Sequence, residues 1–213
     1  MKHWPSLLLA LFPMMGFGAD PAANPGTAFI TGSDRGIGFA LVNNAGVAGN
    51  MERQTINHLD QDEFIRVLRV NSYGPLRVSA AFLDHVAASR QRKIIAVSSG
   101  YGSVASVESV AASGYPSAYF YAMSKAALNM GMREFALDPG ARRGVTTALF
   151  SPGAVDTDMQ RAIRTDMARA GKPITAPTGT PADVAHAMVL AIEQLKPEQN
   201  GRFYSLSGKE LPW

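Results

Sequence analysis

Tyr121 and Lys125 stand four residues apart in a run rich in Ala, Met and Leu that reads as helix, so both side chains project from one face and can share a ligand. A free phenol has a pKa near ~10, and a neighbouring ammonium stabilises the phenolate, so such a pair can exchange a proton with a carbonyl oxygen near neutral pH. The same spacing also fits a packed aromatic beside a solvated lysine. Tyr115 and Tyr119 are local competitors, but only Tyr121 has lysine at the fourth position.

Two further constellations carry chemistry. Ser98-Ser99-Gly100 closes the short apolar run 93–97, where a serine hydroxyl can orient a carbonyl and hydrogen-bond a developing alkoxide; Ser99 is the candidate and Ser98 its rival, and an ordinary strand-end turn fits the same residues. The apolar run 27–31 is followed by Gly32, Ser33, Arg35, Gly36, Ile37 and Gly38. This is a strand, tight turn and helix-start pattern in which backbone N–H groups approach a pyrophosphate, unless it is a plain glycine turn. Arg35 suits a 2′-phosphate, which tips the cofactor expectation toward NADP over NAD, or else it is a surface residue.

The elements that must position these residues follow from pattern. Residues 60–71 show helical spacing with acids at the start, and 73–88 continue it past Gly74-Pro75. The β-branched run 93–97 predicts a buried parallel strand. A long helix over 119–137 stops at Asp138-Pro139-Gly140, and a strand follows over 145–150. Helices over 156–170 and 181–195 and a last strand over 202–206 complete an alternation that implies layered α/β architecture with a parallel sheet.

In chain order the sequence carries the glycine turn, Asn43-Asn44-Ala45-Gly46, Asn71, Ser98-Ser99, Tyr121-Ala-Met-Ser-Lys125, and Pro152-Gly153 with Val155 and Thr157. Together these resemble the short-chain dehydrogenase/reductase family over about residues 26–213. Within it the run 121–138, the long gap from Ser99 to Tyr121 and the ending Leu211-Pro212-Trp213 are similar to the C-factor and sniffer-like carbonyl reductase group.

The resemblance implies a Rossmann-like sheet with helices on both faces and an NAD(P)-dependent transfer of hydride between cofactor and a carbonyl/alcohol substrate. It makes Tyr121 the acid/base, Lys125 its tuner and a holder of the nicotinamide ribose, and Ser99 of the Ser-x-x-Gly pattern the orienting donor. Asn71 would bend its helix and hold a proton-relaying water; read alone, it marks a helix end. The cofactor contacts it implies are Gly32, Ser33, Arg35, Gly36, Ile37, Gly38, Asn44, Ala45, Gly46, Tyr121, Lys125, Pro152, Gly153, Val155 and Thr157. Asp156 or Thr157 also reads as a helix N-cap. A homodimer or homotetramer built on the helices 60–88 and 119–137 is implied as well.

One segment is missing. Only Phe39, Ala40, Leu41 and Val42 separate Gly38 from Asn43, where the family's pattern places two strands and their covering helices. The expected fold is therefore a Rossmann-like parallel sheet reduced by two strands and their helices on one side. An acid that reads the adenosine ribose would fall near 58–60, and Glu52 and Asp60 are poorly placed for it. A parallel crossover takes about a dozen residues. Either the glycines open a short helix and the strand at Val42 is lost, or that strand forms and the phosphate site is distorted. The catalytic half is expected to be better preserved than the adenosine half. This leaves an alternative function: a catalytically impaired member acting as an interaction or C-factor-like signalling protein.

Composition bounds the rest. The 213 residues suit one domain, and the net charge of +3 is scattered with no dense basic run, so no nucleic-acid partner is expected. With no cysteine, disulfides and thiolate chemistry are excluded, and His3, His58, His85 and His186 lack ligand spacing and read as helix-surface positions, so no metal is expected. Residues 1–25 look like a signal-peptide leader with small residues at Gly18-Ala19, or a simple apolar extension. A nicotinamide enzyme is expected in the cytoplasm, whereas a cleaved leader would make the chain exported or membrane-associated.

Overall fold

A computed structural model describes residues 28–32, 39–169 and 173–213. The leader, and with it His3, lies outside the described residues, as do Ser33, Arg35, Gly36, Ile37 and Gly38.

Strands β1 (Ala28–Gly32) and β2 (Phe39–Asn43) form an antiparallel pair. A small hairpin of β3 (Gln54–Thr55) and β4 (His58–Leu59) leads into α1 (Gln61–Leu68). Asp60 caps α1 by accepting the Glu63 N–H at 2.9 Å, with Asp62 and Glu63 favourably placed in its first turn. A π-helical turn, Arg69–Tyr73, carries the chain without a break into α2 (Gly74–Ala88), where Pro75 sits in the tolerated first turn. Asn71 is therefore inside a distorted helix and does not end one.

Next come β5 (Lys93–Val97), α3 (Val107–Ala112) and α4 (Tyr119–Phe135), which runs into a second π-type turn at Ala136–Gly140. Strand β6 (Thr146–Ser151), helices α5 (Asp158–Arg169) and α6 (Pro181–Gln194), and strand β7 (Arg202–Ser205) finish the order.

The sheet order is β1-β2-β5-β6-β7, and β2, β5, β6 and β7 are parallel. Side-chain alternation assigns the two cores. Leu41, Ile94, Ala96, Leu149 and Phe203 face α2 and α4, meeting Val86, Leu128, Met132 and Phe135. Ala40, Val42, Ile95, Ala148, Phe150 and Tyr204 face the other way, toward Ile192 of α6 and Leu195. Helices thus cover both faces of a four-stranded parallel sheet, with fewer strands than a full Rossmann fold carries.

Of the strand, turn and helix-start expected at the glycines, the strand forms as β1 and the turn lies outside the described residues, while a helix running through Leu41 is corrected to strand. Gly32 pairs with Phe39 and Ala28 with Asn43, so the strand at Val42 forms and β1 runs antiparallel to it. The link of residues 33–38 is too short to return along a strand, and an antiparallel partner is what so short a connection permits. His85 and His186 are exposed on α2 and α6, while His58 is on β4 and not on a helix. Among the described residues no cluster of His, Cys, Asp and Glu could hold a metal, and no helix is long and apolar enough to cross a membrane.

Candidate active site

The C-terminal ends of β2, β5 and β6 deliver three loops to one edge of the sheet, where parallel α/β folds place ligands. These are the Asn44-Ala45-Gly46 loop, the Ser98-Ser99 turn and the Pro152–Thr157 segment. The first turns of α4 bring Tyr121 and Lys125 to the same edge.

Lys125 is 4% exposed, and its Nζ donates to the Val97 carbonyl at 2.8 Å. That is its one hydrogen bond among the described residues, so two ammonium N–H groups remain for a ligand. Nζ lies 5.8 Å from the Tyr121 ring centre, the i,i+4 neighbour the spacing predicts. Burial pulls the Lys125 ammonium down to about 8.

The Tyr121 phenol is pushed up by burial, and the influence opposing that rise is a hydrogen bond from Ser99. Lys125 makes no hydrogen bond to the phenol among the described residues. Its ammonium is turned to Val97, and the neighbouring hydroxyl stabilises the phenolate instead.

The two adjacent serines have separate fates. Ser98 is buried and donates to Asn129 Oδ1 at 2.5 Å, which removes the rival from the cleft. Ser99 is half-buried, extended in backbone, and faces Tyr121. Asn129 in turn donates to the Gly102 carbonyl at 3.0 Å. A Cβ on Gly102 would lie 2.7 Å from the Lys125 backbone carbon, so the turn after Ser99 rests directly on α4, and only glycine fits there. This contact gives the Ser-x-x-Gly spacing its physical reason.

The competing tyrosines are otherwise engaged. Tyr101 donates to the Pro116 carbonyl at 2.8 Å and meets Tyr121 edge-on at 5.6 Å between ring centres. Tyr115 accepts from Gln160 Nε2 at 2.9 Å, linking the segment before α4 to α5, and Tyr119 is exposed.

Asn71 is fully buried and grips the loop after β2 from both sides. Its Oδ1 accepts the Val47 N–H at 2.8 Å, and its Nδ2 donates to the Val47 carbonyl at 2.9 Å and to Ser124 Oγ at 2.8 Å. Ser124 Oγ donates to the Tyr121 carbonyl at 2.7 Å. The helix is distorted at Asn71 as the resemblance implies, while its carboxamide is engaged by protein. Gly46 passes over the ammonium: a Cβ there would sit 3.6 Å from both Lys125 Nζ and Asn71 Oδ1.

On the third loop Pro152 and Val155 are half-buried, and Gly153 is exposed with φ 75°. Val155 bridges Gly179, and Thr157 Oγ1 accepts the Gln160 N–H at 3.3 Å, so Thr157 is the N-cap of α5. Met159, Ile163 and Met167 are half-buried on one face of α5. Arg164 donates to the Ile174 and Ala176 carbonyls and ties that helix to the returning chain.

A nicotinamide and its ribose fit this edge: a buried ammonium keeps two open donors beneath a glycine, and Gly153 leaves the opposite wall open. The adenosine half does not fit the described residues. Gly32 lies beside Phe39, at the far end of β2 from Asn43. It is about 13 Å from the catalytic edge by strand rise. Asp60 is occupied as the α1 cap and by Arg53 at 3.7 Å, and Glu52 is exposed. The structure thus brings Asn71, Ser99, Tyr121, Lys125, Ala45 and Gly46 together and leaves Gly32 apart.

Sequence reading missed Gln54, Ser124 and Asn129. Asn129, four residues beyond Lys125 on one helix face, was open to discovery by spacing. Gln54 lies in a two-residue strand among polar neighbours and carries no such signal.

The family model described as short chain dehydrogenase matches residues 39–168, starting at β2 after the glycine turn. C-signal of Myxococcus xanthus is 36% identical over 186 residues, covering 87% of this chain and 99% of that protein. In structure the chain is similar to the NADPH-bound carbonyl reductase from chicken fatty liver, with a TM-score of 0.67 and 26% identity over 81% of this chain. It is also similar to the carbonyl reductase Sniffer of D. melanogaster, with a TM-score of 0.65 and 25% identity over 82% of this chain. It spans 64% and 66% of those two reductases.

Proposed function

This chain belongs to the short-chain dehydrogenase family, and on that premise we propose that it is an NAD(P)-dependent oxidoreductase acting on a carbonyl/alcohol substrate. The observation that carries the reading is the convergence of Ser99, Tyr121 and Lys125 at one edge of the sheet. A bound nicotinamide would contribute hydride transfer. Lys125, Asn44, Ala45, Gly46, Pro152, Gly153, Val155 and Thr157 are the residues to hold it. The structurally similar chicken reductase is NADPH-bound, which makes NADPH the cofactor to test first.

The chain's own part is proton delivery and orientation. Ser99 donates to the carbonyl oxygen and holds it against Tyr121, and the phenol passes its proton to that oxygen as negative charge develops. Burial keeps Tyr121 protonated at neutral pH, which suits reduction, and the one Ser99 proton that favours the phenolate before substrate enters is given to the carbonyl oxygen when it binds. Asn71 holds the cofactor-side loop on α4, and a relay from solvent toward Lys125 past its backbone restores the proton. The test is fluorescence titration with NADPH followed by turnover of a simple aldehyde or ketone; binding and turnover are expected, and the absence of both rejects catalysis.

The register of β1 favours a second reading, a family member with impaired cofactor binding that acts through interactions. Ile65 on α1, Tyr73 on the π turn, Leu76 on α2 and Met123 and Met130 on α4 are exposed, and they form the surface for a homodimer. Sedimentation of the purified chain checks the dimer. A cellular effect that survives Tyr121→Phe would support this reading over catalysis.

A further inference from the structure

Helix α4, which carries Tyr121 and Lys125, starts without a cap of its own. Ala118 occupies the N-cap position and its side chain accepts nothing. The groups an N-cap side chain ordinarily accepts are the N–H of the second and third helical residues, here Phe120 and Tyr121. Both go to one distant atom: Oε1 of Gln54 accepts Phe120 N–H at 3.1 Å and Tyr121 N–H at 3.3 Å.

Gln54 is fully buried, and its other end is equally committed. Nε2 donates to the Ala48 carbonyl at 2.9 Å and reaches the Asn50 carbonyl at 3.4 Å. That loop is itself pinned, because Asn50 N–H donates to Glu63 Oε1 at 2.6 Å. Gly49 has φ 79° and packs so tightly that a Cβ would lie 2.8 Å from Val67 Cγ2. The loop continues from Gly46 above the Lys125 ammonium. One carboxamide therefore joins the catalytic helix to the loop bordering the cofactor end of the site.

We propose that Gln54 is a positioning residue for Tyr121: its carboxamide supplies from β3 the N-cap that α4 lacks and fixes the helix start against the loop 44–50. The role in turnover rests on the oxidoreductase reading, whereas the cap does not. Gln54 touches no reacting atom. It acts by holding the Tyr121 backbone where the phenol meets Ser99, and small displacements of a reacting group are costly in rate.

The experiment uses the isosteric apolar variant Gln54→Met and the double variant Gln54→Met/Ala118→Ser, which restores a cap in place. Amide exchange by NMR and steady-state kinetics are read on both. In Gln54→Met the Phe120 and Tyr121 amides should exchange about tenfold faster or more, and kcat should fall about tenfold with KM within about twofold. Ala118→Ser should return both toward the parent. Unchanged exchange, an unchanged kcat, or a loss that Ala118→Ser does not relieve would each overturn the proposal, the last marking Gln54 as packing alone. If Gln54→Met fails to fold, the unsubstituted chain decides: Phe120 and Tyr121 amides must exchange at least about tenfold more slowly than that of Tyr119. If the parent chain turns over no carbonyl compound, the oxidoreductase reading fails by itself, and the exchange and rescue data still judge the cap.

Discussion

The Lys125 ammonium lies 5.8 Å from the Tyr121 ring centre while donating to the Val97 carbonyl at 2.8 Å, so the two groups share a helix face without sharing a hydrogen bond. The lysine bears its charge with one protein acceptor, and burial draws its pKa down to about 8.

A pH dependence of cofactor affinity follows. Below about 8 Lys125 is an ammonium with donors for ribose hydroxyls, and above it the charge is lost. NADPH affinity should be flat from neutral pH to about 8 and fall beyond it, in fluorescence titrations across that range. Lys125→Met should remove the dependence. For stability the sign is opposite: the folded value is depressed, so between about 8 and the ordinary 10.5 the unfolded chain binds more protons, and Lys125 contributes stability that grows with pH in that window.

Adjacent serines should give different phenotypes. Ser99→Ala should cost about 10²-fold in kcat with little change in melting temperature, since it removes a donor at the reacting oxygen. Ser98→Ala should leave Asn129 Oδ1 short of a donor and cost about 1–3 kcal/mol in denaturant unfolding. Equal behaviour of the two in kinetics and unfolding would contradict their separate placements.

Tyr121→Phe should lower kcat by at least about 10²-fold while the chain stays folded by circular dichroism. A variant retaining most of the parent rate would remove Tyr121 from the acid role.

The antiparallel pairing of Gly32 with Phe39 sets a limit on the adenosine half. Reduced nicotinamide mononucleotide and NADPH should bind within about tenfold of each other, a difference under about 1.4 kcal/mol. Calorimetry showing NADPH hundredfold tighter would place an adenosine site in this chain.

Asn71→Ala should destabilise by several kcal/mol, about 1–3 for each Val47 group left without its partner. Chemical denaturation checks it, and a change within experimental error would contradict the clamp seen at Val47.

Much of the site was legible because it rests on local geometry. Helical spacing alone puts Lys125 beside Tyr121, and the apolar run 93–97 alone puts a serine at a strand end. The apolar runs at 93–97 and 145–150 and the alternation of strands with helices likewise implied the parallel sheet, because strands buried on both faces must be apolar throughout, whereas the sequence leaves the strand at Val42 open. Asn71 was read on its own as a helix end, since Gly74-Pro75 is a local breaker. The π turn keeps the helix going because Asn71 is held by Val47 and Ser124, partners distant in sequence.

The sequence by itself determined which chemical groups are present, their order along the chain, and the i,i+4 pairing of Tyr121 with Lys125, since these depend on covalent spacing and helical pitch. Tertiary structure decided which serine faces the phenol, that Gln54 caps the catalytic helix, and that β1 turns antiparallel. Each of these depends on a partner many residues away, and no local periodicity encodes such a contact.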